Sequence, residues 1–99
     1  MLIAELSPSN KEDKRYKVIV ENPKLKIKKT LHFGSKGAST FLEHKDDKIK
    51  MNWIKRHKVR ENWKDPFSAG FWSKHILWNK IDLEDSIIDT EKRFNIEIN

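Results

Sequence analysis

The sequence predicts an α+β fold, an N-terminal β-hairpin with a candidate third short strand packed on three helices. Three observations carry that prediction. Apolar residues alternate at the strand period between Tyr16 and Phe33, the stretch from Lys45 to about Asn62 holds neither Pro nor Gly, and two later segments begin on residues suited to cap helices. At 99 residues the chain encloses one small core, which argues against a multidomain enzyme.

Taken in order, residues 1–13 read as a loosely held tail before a single domain over 14–99. Tyr16, Val18 and Val20 alternate with Lys17 and Glu21, and Leu25, Ile27, Leu31 and Phe33 alternate with Lys24, Lys26, Lys28, Thr30 and His32. Asn22-Pro23 between the two runs is a turn signal, because Asn tolerates turn dihedrals and Pro has no ladder donor. Lys29 breaks the alternation, as at a bulge or an edge. After the turn Gly34-Ser35-Lys36-Gly37, Ala38 to Leu42 is the candidate third strand. The helix from Lys45 places Ile49, Trp53, Ile54 and His57 on one side and Lys45, Lys48, Lys55, Arg56 and Lys58 on roughly the other, a basic amphipathic pattern. Ser68 is placed to cap a short helix from Ala69 to Trp78, in which Gly70 permits close approach of a neighbour. Asp82 caps the last helix, whose acidic first turn (Glu84, Asp85) and basic last turn (Lys92, Arg93) complement the helix dipole. Trp72, Leu77, Ile87 and Phe94 are the expected centre of the core.

Charged residues make up 36% of the chain and hydrophobic residues another 36%, so that core is expected to be thin. There is no cysteine to reinforce it by disulfide or thiolate zinc, which suits a reducing compartment. No apolar run has the length of a signal peptide or a bilayer span, and no membrane partner is expected. The formal charge of +6 is unevenly placed. Lys14 to Lys36 carries eight basic residues against Glu21 alone, Lys45 to Lys64 carries eight against three acids, and from Asp65 onwards acids outnumber bases by seven to four. A basic front and an acidic back point to a polyanionic partner.

Two basic surfaces are therefore the candidate binding site. On the second strand Lys24, Lys26 and Lys28 are expected to form a row spaced by about 7 Å, close to the spacing of neighbouring phosphates. The bland reading of the same row is a solvated face that discourages edge pairing. The helix adds Lys55, Arg56, Lys58 and Arg60, with Lys36 in the glycine turn and Trp63 and Lys64 beyond. Most of the four Trp and five Phe are read as core, while Trp53 and Trp63, neighbours of these cations, are candidates to stack on unpaired bases. Gly34-Ser35-Lys36-Gly37 has the GxxG spelling of a KH clamp, but a strand precedes it and a tight turn is the better reading. His32, His44, His57 and His75 have no metal-ligand spacing, no nucleophile has a base partner, and no phosphate or dinucleotide fingerprint occurs. Neither an enzyme, a cofactor, a metal nor a small-molecule substrate is expected.

From Phe33 onwards the string resembles a family of small uncharacterised proteins of giant DNA viruses of algae and protists. The matching pieces are Phe33-Gly34-Ser35-Lys36-Gly37, His44-Lys45-Asp46, Ile54-Lys55-Arg56-His57-Lys58, Glu61-Asn62-Trp63, Ala69-Gly70-Phe71-Trp72-Ser73-Lys74, Leu77-Trp78-Asn79-Lys80 and Glu91-Lys92-Arg93-Phe94. The family has a proline soon after Trp-Asn-Lys where this chain has Ile81, so the start of the last helix is expected to differ. The resemblance implies a virus factory in host cytoplasm, or the virion, as the setting, and supplies no mechanism. Two functions then compete. One is a basic accessory protein on a DNA or RNA backbone. The other is a minor virion or capsid structural protein, or adaptor, that docks its basic front on an acidic protein surface and buries tryptophans at the interface.

Overall fold

The structure is a computed structural model that describes residues 1–99. It has the α+β architecture, with four strands and four helices. The strands are β1 (Leu2–Pro8), β2 (Lys14–Asn22), β3 (Ile27–Ser35) and β4 (Ile96–Ile98). The helices are α1 (Phe41–His44), α2 (Asp47–Lys58), α3 (Ala69–Trp72), which runs on into a π-helical turn at Ser73–Leu77, and α4 (Leu83–Phe94). The sheet order is β3-β2-β1-β4, antiparallel except for the parallel pairing of β1 with β4.

The hairpin forms for the reason its alternation gives. Val18 lies opposite Leu31 and Tyr16 opposite Phe33, so the apolar set of both strands shares one face, and Val18, Val20, Leu31 and Phe33 are buried. Its turn is longer than Asn22-Pro23. The strands stop at Asn22 and resume at Ile27, Lys26 takes a positive φ of 57°, and Leu25 is 64% exposed. Lys24 and Lys26 therefore sit in the turn, and only Lys28 of the expected lysine row is on a strand, which corrects the three-residue row.

The amino terminus is also corrected. Residues 1–13 are not a loose tail: β1 lies between β2 and β4, and Ala4 is fully buried opposite Val20. Leu2, Ala4 and Leu6 have the strand period, but the polar run from Ser7 to Asp13 that makes the connection masks it. Chain continuity runs the other way as well. Ile96 pairs with Leu2, and the Asn99 amide donates to the Ala4 carbonyl while its own carbonyl accepts from the Leu6 amide, so residues 96–99 extend the sheet beyond β1. Nothing in the sequence pattern announces this short strand after α4.

Ala38 to Leu42 is not a strand. Thr40 caps α1 in a reciprocal arrangement with Glu43, worth about 1 kcal/mol, and Lys45 ends that turn with a φ of 54°. Asp46 then caps α2 by accepting from the amides of Lys48 and Ile49, so the long helix starts after Lys45 and stops at Lys58 rather than Asn62. Ser68 caps α3 and Asp82 caps α4, both as expected. The core packs the inner sheet face against Phe71, Trp72, Ile76 and Leu77, with Ile87 and Phe94 half-buried at its border rather than at its centre.

Candidate nucleic-acid interface

Each expected cation is exposed. Lys24 and Lys26 crown the hairpin turn, and Lys28 follows on β3 opposite Glu21. Lys36 lies in the turn after β3, held by its amide on the Asp13 carbonyl at 3.1 Å. Lys55, Arg56 and Lys58 occupy the last turn of α2, and Arg60 follows with its amide on the His57 carbonyl. Lys64 is fixed at its backbone by the Asn62 side chain.

Few of the chain's cations are neutralised internally. The ion pairs are Arg15 with Glu43 at 2.8 Å, His57 with Glu61 at 3.3 Å, and Arg93 with Asp89 at 3.4 Å. Of 21 Lys and Arg, only Arg15 and Arg93 thus meet a carboxylate, and none of the candidate cations does. The Thr40 amide and then Arg15 hold the Glu43 carboxyl below its usual range. Burial alone would raise Asp89, but hydrogen bonds from Asn79 and Arg93 outweigh it and hold the group low. Desolvation first, and then the ammonium groups of Lys11 and Lys17, hold the His32 pKa below its usual value.

The fold does not draw these cations into one patch. The tip lysines sit at one end of the hairpin, while Ser35 at the other end lines a cleft of about 470 Å³ together with Arg56. The eight rises of about 3.3 Å from Ile27 to Ser35 put the two ends of β3, and with them the tip and the cleft, roughly 26 Å apart. Lys55 faces another side of α2, beside Asp47, Met51 and Asn52. The two expected basic surfaces do not converge: one is a tip patch and the other is spread around the end of α2.

The rings are largely internal. Trp53 is 8% exposed at the centre of a column in which its ring centroid lies 4.9 Å from Trp78, 4.2 Å from His57 and 6.0 Å from Trp63. It is a core residue, not a free stacking platform. Trp63 is half-buried, donates its ring N–H to Glu61 at 2.9 Å, and carries the Lys74 ammonium 5.6 Å from its centroid. A base approaching that face meets Lys74 first. Burial, reinforced by nearby Lys50 and Arg93, lowers the Lys74 pKa.

The cleft is the feature that sequence reasoning misses. Lys14, on the core-facing register of β2, enters it from the hairpin, and Arg56 enters it from α2 on the face that also carries Ile49 and Trp53. The only signals in the sequence are the phase of Lys14 with Tyr16 and Val18, and the four-residue spacing of His57 and Glu61 that becomes an ion pair here. No three metal-ligating side chains come together, and no helix is long and apolar enough to cross a membrane.

No curated protein and no solved structure matches the chain. A family model does, over residues 4–57, which take in most of β1, the whole hairpin, α1 and nearly all of α2. The match contains the tip lysines, Lys14, Lys36, Lys55 and Arg56, and leaves Lys58, Arg60, Trp63 and Lys64 beyond it. Since more than half of the chain is matched, it belongs to the family of unknown function DUF5754.

Proposed function

We propose that the protein binds the phosphate backbone of DNA or RNA without catalysing a reaction, using the hairpin tip and the end of α2 as two separate points of contact. The observation that carries this reading is the set of exposed cations with no internal carboxylate partner: Lys24, Lys26 and Lys28 at the tip, Lys55, Arg56, Lys58 and Arg60 around the end of α2, with Lys36 and Lys64 beside the second group. Unpaired surface ammonium and guanidinium groups contribute little to folding, yet each releases a counterion from a polyanion on binding. The burial of Trp53, Trp72 and Trp78 supports this reading over a tryptophan-lined protein interface.

Fluorescence anisotropy with a labelled duplex and a labelled single strand tests it. Affinity is expected to fall by at least about tenfold between roughly 50 and 200 mM salt. A salt-independent affinity, or no binding at low salt, contradicts the proposal.

A further inference from the structure

The cleft between the hairpin base and α2 gathers two glycines, a π-helical turn and two cations. Two of the three glycines line it and neither has room for a side chain. A Cβ on Gly34 would stand 2.8 Å from Leu77 Cδ1, and one on Gly70 would stand 2.9 Å from Glu61 Cδ. The π-helical turn, a rare conformation frequent at functional sites, places Ser73 and Leu77 on the same cleft. Lys14 and Arg56 approach from opposite elements, and neither belongs to any of the chain's ion pairs. Ser39 and Ser73 line the cleft as well, whereas the Thr40 hydroxyl is engaged with Glu43 Oε1.

We infer that this cleft receives a terminal phosphate monoester, clasped between Lys14 and Arg56 and supplemented by Ser39 and Ser73. A monoester carries more charge than a backbone diester and three acceptor oxygens, which suits two cations with Ser39 and Ser73 beside them. The Arg56 fork matches two of those oxygens at once. A volume of about 470 Å³ accommodates one nucleotide-sized unit and not a duplex, which favours the end of a strand. Glu61 also lines the cleft, but its two oxygens are directed to His57 Nδ1 and to Trp63 Nε1, which leaves the cations in excess. The inference rests on the backbone-binding reading for the case in which the monoester is the end of a strand.

The test compares one single-stranded oligonucleotide carrying a 5′-phosphate, a 3′-phosphate or hydroxyl ends, labelled internally. The phosphorylated form is expected to bind about tenfold more tightly, the worth of one charge-assisted contact. Lys14→Ala with Arg56→Ala should abolish that preference, while replacing Lys24, Lys26 and Lys28 by Ala should weaken all forms alike and keep it. If the double variant melts early, Arg56→Lys replaces it; this keeps the charge, loses the fork, and should reduce the preference. Adenosine monophosphate and inorganic phosphate as competitors identify the source: competition at micromolar concentration assigns the site to a free monoester, and failure to compete assigns it to the strand end. Equal binding of all oligonucleotides, without monophosphate competition, overturns the inference and leaves the backbone reading intact. No binding of any oligonucleotide or monophosphate removes both.

Discussion

His75 is the residue on which acid stability turns. It is 3% exposed, wedged between the rings of Phe71 and Phe94, and its Nε2 donates to the Trp63 carbonyl at 2.9 Å. Its Nδ1 has no partner, so a proton arriving there would find no acceptor. Burial, opposed by the Trp63 carbonyl and aided by Lys74 and Arg93, pushes its pKa down to about 4. The folded protein therefore resists a proton that the unfolded chain accepts near pH 6.5. The contribution of His75 to stability is expected to be full above that value, to fall as pH drops from about 6.5 towards 4, and to be lower by up to roughly 3 kcal/mol at the end of that window. Urea titrations at stepped pH measure this loss, and His75→Gln should remove most of the slope. A wild-type profile as flat as the variant's would show that His75 is not the titrating group. Gly34 provides a second test. With a φ of 79° and Leu77 against it, Gly34→Ala should cost about 1–3 kcal/mol, whereas Gly37→Ala, facing open space, should change the melting temperature little.

Among the elements, β1 decides how the sheet is held. It lies between β2 and β4 and contributes Ala4 to the core, so deletion of residues 1–8 strips a partner from each neighbour and exposes Val18 and Val20. Circular dichroism of the deleted chain should show loss of cooperative unfolding; a native-like melt would mean that β1 is dispensable. The caps and periods that sequence reasoning reads well are local: Ser68, Asp82 and the Tyr16–Val20 alternation each act within a few residues, and each has its expected place in the fold. What sequence reasoning misses depends on distant pairing. β4 becomes a strand by pairing with β1 across almost the whole chain, and a three-residue segment such as Ile96–Ile98 has too little period to declare itself. Thr40 and Glu43 form a readable capping box, which the apolar Ala38–Leu42 stretch around them obscures. The lysine row fails for a related reason, because the turn consumes Pro23 to Lys26 and takes two of the three lysines off the strand.

Across the whole molecule, the candidate cations are legible one by one but their grouping is not, since only the register of a nine-residue hairpin sets tip and cleft at opposite ends. That separation of roughly 26 Å corresponds to about eight base steps at ~3.4 Å per step. A duplex shorter than that reaches one patch only. Affinity measured over a length series should rise steeply up to about eight base pairs and then level to the statistical gain of added sites. The most direct test of the two-patch account is the salt slope of duplex binding, compared between the wild-type chain and the variant with Lys24, Lys26 and Lys28 replaced by Ala. The account predicts that the variant melts like the wild type and that its slope is shallower by about 2 to 3, near 0.9 for each phosphate that the tip no longer neutralises. An unchanged slope in a folded variant would contradict the tip's place in the interface and, with it, the two-point grip on the backbone.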